Sequence, residues 1–187
     1  MSDRPNILWL TFEDTSPQFV SCYGMTRAAT TPAMDALAAD GVRFDNVFAT
    51  APVCSASRSA LITGVCNEAT GLGHHRSKYP IPRELIRGFP WYLQRAGYYT
   101  TNNVKTDYNI EDEPGFIAET WNESSDEAHW RNRPDRRPFF SVFNYMDSHQ
   151  SRTMTKPHRW YEEYVLGELD DDEIIAPEAI SVPPIYR

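Results

Sequence analysis

Four groups of side chains in this chain of 187 residues have the types and spacing to do chemistry. Glu13 and Asp14 stand together after an apolar run. Cys54 opens "CSASR", which ends in Arg58. Lys105 and Asp107 follow "YYTTNN", and Asp147 and His149 follow "FFSVFNYM". Carboxylates are hard oxygen donors for a divalent cation. Lys, Arg and His attract an anion. A helix start offers free N–H groups and the positive end of the dipole, which suits a sulfate or phosphate and lowers the pKa of a thiol placed there. Together these groups describe a metal-assisted hydrolase of an anionic ester. Each also has a plainer reading: an acidic turn in water, a buried packing thiol, a surface histidine.

The elements that must position these groups alternate between strand and helix. Asn6 to Phe12, "NILWLTF", reads as a buried strand. "TTPAMDALAADG" reads as a helix with Thr31 as cap, Pro32 in its first turn and Gly41 as its stop, with Met34, Leu37 and Ala38 on one face. Val42 to Ala49 reads as a short strand. Ser57 to Thr63 is a helix stopped by Gly64, and Gly71 to Pro82 is a loop carrying His74 and His75. Trp91 to Ala96 is a helix ended by Gly97, and Tyr98 to Asn102 is a strand. The pattern from Phe116 to Trp121 is mixed. Arg131 to Pro138 is a polar loop, and Phe139 to Met146 is a second buried strand. Trp160 to Val165 reads as a short helix, and the acidic, proline-rich remainder as surface loop. This order predicts an α/β fold with a largely parallel sheet flanked by helices. In such sheets ligands bind beyond the carboxyl ends of the strands, where the polar clusters follow. Residues 1–187 read as part of a single domain, the front portion of a longer one, because no closing element follows the second strong strand.

Bulk properties narrow the partners. A formal net charge of −8 argues against a nucleic-acid or anionic-membrane partner, while leaving room for a local anion pocket. The cysteines are Cys22, Cys54 and Cys66, an odd count that makes no disulfide framework. The amino terminus lacks the pattern of a signal peptide, so the expected location is cytoplasmic as written, or periplasmic or secreted if a leader was removed. Oligomeric state is not readable.

"CSASRSALITG" resembles the signature of the type I sulfatases of the alkaline-phosphatase superfamily: Cys-x-Pro/Ala-x-Arg, an apolar helix, then Thr-Gly. "PNILWLTFED" resembles the family's opening strand and acidic pair. "CYG", "TPAMDALAADGVRFDNVFATAPV", "AGYYTTNNVKTDYN" and "PFFSVFNYMDSHQSR" resemble its other blocks in order. Within the family, "TFEDTSP" and "NNVKTDYN" look most like bacterial heparan N-sulfatase-like sulfatases. The resemblance implies that Cys54 is the precursor of Cα-formylglycine, made by a separate maturation enzyme. The hydrated aldehyde would then take the sulfuryl group and release it by elimination, splitting one hard step into two. It implies that Glu13, Asp14 and the modified Cys54 bind Ca2+ or Mg2+, that Arg58 holds the modified residue, that Lys105 contacts sulfate, and that His149 contacts sulfate or protonates the leaving group. Glu13 departs from the usual Asp-Asp pair. Asp107 stands where the family often has histidine, and takes no sulfate-binding role. The family's downstream Asp-Asn or Asp-His-Gly block and second lysine are not in this sequence. The implied reaction is hydrolysis of a sulfate ester or sulfamate, on a small molecule or a sulfated glycan.

Two rivals remain. One is a phosphodiester or phosphonate monoester hydrolase of the same superfamily. The other is an inactive fragment that lacks the remaining metal ligands.

Overall fold

The computed structural model describes residues 4–24 and 30–151. The readings at Trp160 to Val165 and in the acidic remainder lie outside the described residues. The chain divides into two compact units, one comprising residues 1–11 and 48–145 and the other residues 12–47 and 146–187.

The first unit is built on strands β1 (Ile7–Phe12, its last residue counted with the second unit), β2 (Tyr99–Asn103), β3 (Glu123–Ser124) and β4 (Phe139–Tyr145), in the sheet order β1-β4-β2-β3. β2 runs parallel to both its neighbours, with Tyr99 opposite Phe139 and Thr101 opposite Glu123. Three helices, α2 (Cys54–Thr63), α4 (Phe89–Arg95) and α5 (Glu113–Thr120), and the short α3 (Asn67–Thr70) belong to the same unit. The core gathers Ile62, Leu72, Tyr108, Phe116, Trp121 and Phe140, with Trp9 and Phe89 packed against it. Trp121 stacks on Phe140 at 5.8 Å between ring centroids, and Phe89 meets the same ring at 5.1 Å. Such aromatic pairs add to the burial that holds α4 and α5 to the sheet. This is the expected α/β fold with a largely parallel sheet flanked by helices.

The sequence pattern explains the helix ends. Gly64 stops α2 in the left-handed conformation, at φ 69°, and returns its N–H to the Ala60 carbonyl. α5 replaces the mixed pattern expected near Phe116. Asp112 caps it by accepting from the Gly115 N–H, and Pro114 falls in the first turn, where its missing N–H is harmless.

The second unit contains α1 (Pro32–Asp40). Thr31 occupies the cap position, but its hydroxyl does not cap the helix. It accepts instead from the Ser21 N–H at 2.9 Å, while Ser21 Oγ bonds Asp35 at 2.7 Å. Leu37, on the expected apolar face, is exposed.

Two strand expectations need correction. Residues 42–49 form no strand. Strand pairing needs a neighbouring ladder, and within the second unit this segment is held by other bonds: Tyr23 Oη donates to the Phe44 carbonyl, and Arg43 donates to the Cys22 carbonyl. β1 is a strand but not a buried one. Ile7, Trp9 and Thr11 are half-buried while Leu8, Leu10 and Phe12, which share the opposite face, are exposed among the described residues.

Candidate active site

In the first unit α2 places Cys54 in its first turn and Arg58 one turn later, on the same side of the helix. No side chain caps this helix start. Its other face is made of small residues: Ser55, Ala56 and Ser59 are at most 1% exposed. Ser59 Oγ donates to the Ser55 carbonyl at 2.6 Å and accepts from the Asn109 N–H at 2.7 Å. Ser55 Oγ accepts from the Arg76 N–H at 2.8 Å and lies 3.1 Å from His75 Nδ1. The two serines thus tie the helix start to the loops at 74–78 and 105–109.

Arg58 carries the same junction further. Its Nε donates to the Thr106 carbonyl at 2.9 Å, and its Nη2 donates to the Lys105 carbonyl and to Asn144 Oδ1, each at 2.7 Å. Asn144, 7% exposed, is a hub. Its Oδ1 also accepts from Thr11 Oγ1 at 2.8 Å, and its Nδ2 donates to Asn102 Oδ1 and the Asn103 carbonyl, each at 3.0 Å. Asn102 Nδ2 in turn donates to the Lys105 carbonyl at 3.2 Å. Arg58, Asn144, Asn102, Thr11 and Tyr108 help line a cleft of about 40 Å³, which has room for water but not for a substrate. Burial pushes the Tyr108 phenol up to about 12, so it stays neutral and cannot serve as a base near neutral pH.

Beyond Lys105 the chain turns through Asp107, a non-glycine residue at φ 53°. Arg76, itself at φ 54°, holds the Asp107 carboxylate through Nε at 3.1 Å and Nη2 at 3.3 Å. Burial alone would raise the Asp107 pKa. The Arg76 hydrogen bonds and the nearby charges of Arg76, Lys105 and His75 outweigh it and hold the group below its ordinary value. Asp107 is therefore the ion-pair partner of Arg76.

The second unit holds Glu13, Asp14 and His149. Glu13 is buried, at 8% exposure, and its carbonyl accepts from Ser148 Oγ at 2.5 Å and from Thr15 Oγ1 at 3.0 Å. Asp14 sits in the left-handed region at φ 51° and accepts the Gln150 N–H on Oδ2 at 2.9 Å. Segments 13–15 and 148–150 are thereby joined. The donors at this turn are carboxylate oxygens, which fit a hard cation and not a soft one. The Ser151 N–H donates to His149 Nδ1 at 3.2 Å, and Ser151 Oγ lies 2.7 Å from the same nitrogen. A backbone amide can only donate, so this bond assigns the neutral ring's proton to Nε2.

The structure thus brings Cys54, Arg58 and Lys105 together in one unit, and Glu13, Asp14 and His149 together in the other. Cys22, Cys54 and Cys66 are all free thiols. Sequence reasoning passed over Asn144, Asn102, Ser55 and Arg76. A signal existed for the first: Asn144 shares strand parity with Phe140 and Val142, an inward polar residue in an apolar run. Arg76 gave no such signal in its loop.

Residues 5–175 match the family model for sulfatases. An ulvan-active sulfatase of Formosa agariphila is 36% identical over 91% of this chain and 28% of its own length. An N-acetylglucosamine-6-O-sulfatase of Bacteroides thetaiotaomicron is 36% identical over 52% of this chain and 17% of its own. This chain therefore spans about a quarter or less of these relatives. A solved structure of a protein in complex with its substrate D-glucosamine-2-N,6-O-disulfate superposes with a TM-score of 0.66, over 80% of this chain and 35% of that one. A phosphonate monoester hydrolase of Agrobacterium radiobacter gives a TM-score of 0.53, over 86% of this chain and 30% of that one. Each structure is 23% identical to this chain, and each shares its fold. The matched length, together with "CSASR" at the start of α2, makes this chain a member of the sulfatase family.

Proposed function

We propose that this chain supplies the nucleophile-bearing part of a sulfatase that releases inorganic sulfate from a sulfated glycan. The observation that carries the proposal is Cys54 in the first turn of α2, with Arg58 one turn on bonded to the carbonyl of Lys105. Cys54 is assigned as the formylglycine precursor, which as a hydrated aldehyde gives one hydroxyl to accept the sulfuryl group and a second to expel sulfate. Glu13 and Asp14 are assigned to a divalent cation, Ca2+ or Mg2+, whose chemistry is to polarise that hydroxyl and offset charge on the sulfate. Arg58 orients the α2 start against the 105–106 carbonyls. Lys105 neutralises sulfate charge. His149, with its proton on Nε2, donates it to the departing oxygen. A glycan substrate is supported by relatives named for ulvan and for N-acetylglucosamine-6-O-sulfate, and a maturation enzyme is the implied partner.

The test is mass spectrometry of the peptide containing residue 54, from protein made with the maturation enzyme. An aldehyde in place of the thiol is expected, and an intact thiol overturns the mechanism. The second reading, a phosphodiester or phosphonate monoester hydrolase, is favoured by the shared fold of the phosphonate monoester hydrolase. Rates on paired aryl sulfate and aryl phosphodiester substrates separate the two, with the sulfate expected to react faster.

A further inference from the structure

Four of the seven residues Arg131–Arg137 are arginines and one is Asp135, a local positive excess in a chain of net charge −8. Arg137 closes on Asp135 through Nε to Oδ1 at 2.8 Å and Nη2 to Oδ2 at 2.7 Å. That pair neutralises the loop's one carboxylate. Arg131, Arg133 and Arg136 make no ion pair among the described residues. Two of these guanidiniums are set by aromatic rings. Arg131 lies over Trp130 at 5.6 Å, and Arg133 over Phe139 at 5.3 Å. Arg133 also donates from Nη1 to the Trp130 carbonyl at 2.9 Å, and its Nε is buried without a hydrogen-bond partner among the described residues. Trp130 is itself stacked on Phe139 at 5.5 Å and meets Phe143 edge-on at 5.4 Å. Trp130, Arg131, Arg133 and Asp135 line an open cavity of about 250 Å³.

The location separates this surface from the Arg58 cluster. Phe139 and Phe143 alternate along β4 with Phe140, Val142 and Asn144, so they face the opposite side of the sheet. Phe139 pairs with Tyr99 at the start of β2, whereas Lys105 follows the end of β2.

We propose that this surface is a second, non-catalytic binding site for an anionic polysaccharide. Guanidiniums present planar donor pairs to sulfate and carboxylate groups, and ring-held ones lose less freedom on binding. A nucleic acid fits less well. The Trp130 ring is occupied by Phe139, by Arg131 and by His129, whose ring lies 3.9 Å away, so no open platform remains for a base. The choice of a polysaccharide rests on the sulfatase reading; the arginine surface does not.

The experiment measures binding of heparin, neutral dextran and a single-stranded DNA oligonucleotide to the full chain by calorimetry, at about 50 and 200 mM NaCl. Heparin is expected to bind and to weaken with salt, with no binding of dextran and weaker binding of DNA. R131Q/R133Q is expected to weaken heparin binding about tenfold and to reduce the log–log salt slope by about two. Asp135→Asn, which removes the neutralising carboxylate, is expected to tighten it, a gain that misfolding cannot mimic. Binding is measured on the thiol form of the protein, made without the maturation enzyme, so a failed maturation assay and a failed binding assay are separate results. No heparin binding at the lower salt, equal binding by parent and R131Q/R133Q, or DNA bound as tightly as heparin would each overturn the proposal.

Discussion

The junction around Arg58 and the turn around Asp14 are built in opposite ways. At Arg58 a buried amide, a guanidinium and two loop carbonyls satisfy one another through side-chain bonds that link β1, β2, β4 and α2. At Asp14 short side chains bond backbone groups, with the Gln150 N–H on exposed Asp14 and Ser148 Oγ on the carbonyl of buried Glu13. Such a network over-determines the position of its members, because displacing one costs several others their partners and would leave fully buried Asn102 unsatisfied. The Asp14 carboxylate is exposed, where it has room to fit a hard cation of variable coordination. Precise placement therefore belongs to the unit with the proposed nucleophile, and room for adjustment to Asp14 in the other.

Breaking the buried hub should have the largest effect on stability. Asn144→Ala strands the Arg58, Thr11 and Asn102 groups, and we expect a loss of about 2–4 kcal/mol in urea denaturation. A change under about 0.5 kcal/mol would mean that water replaces the amide in the adjoining cleft. Ser59→Ala comes next. It orphans the Asn109 N–H inside the unit, and a loss of about 1–3 kcal/mol is expected from the same measurement.

Asp14→Asn sharpens the contrast from the other side. Its carbonyl oxygen can still accept the Gln150 N–H, so stability should shift by less than about 1 kcal/mol. Ca2+ affinity, read by calorimetry on the matured protein, should fall at least tenfold; unchanged affinity would remove Asp14 from the proposed metal donors.

The smallest effect concerns Asp107. Its pKa is held below the ordinary 3.8, so its pair with exposed Arg76 favours the folded state above the unfolded-state pKa. That contribution fades as pH falls through the lower folded value. Asp107→Asn should then cost about 1 kcal/mol or less near neutral pH, and nothing in acid below the folded pKa. Denaturation curves for parent and variant at the two pH values check the sign: the gap must close as pH drops.

Much of this frame was legible in the sequence, for identifiable reasons. β2 and β4 are short apolar or β-branched runs, and α2 ends at a glycine that adopts the left-handed turn. α5 was obscured because Pro114 and Gly115 look like breakers, although a first-turn proline is compatible with a helix. The segment at Val42–Ala49 misled for the reverse reason. Its apolar content suits a strand, but a strand exists only with a partner, and no residue type announces one. The reactive candidates Cys54, Arg58 and Lys105 were readable from their order along the chain. Asn144 and Arg76, which hold the backbone beside them, were not, since their role arises from contacts across 86 and 31 positions of sequence.

The bonds from Arg58 to the loop after β2 end on carbonyl oxygens, those of Lys105 and Thr106. Every amino acid carries that oxygen, so the anchor is indifferent to the side chain it supports. The loop works as a socket whose fitting is exchangeable: chemistry at positions 105 and 106 can be altered by substitution while the frame that presents it stays in place.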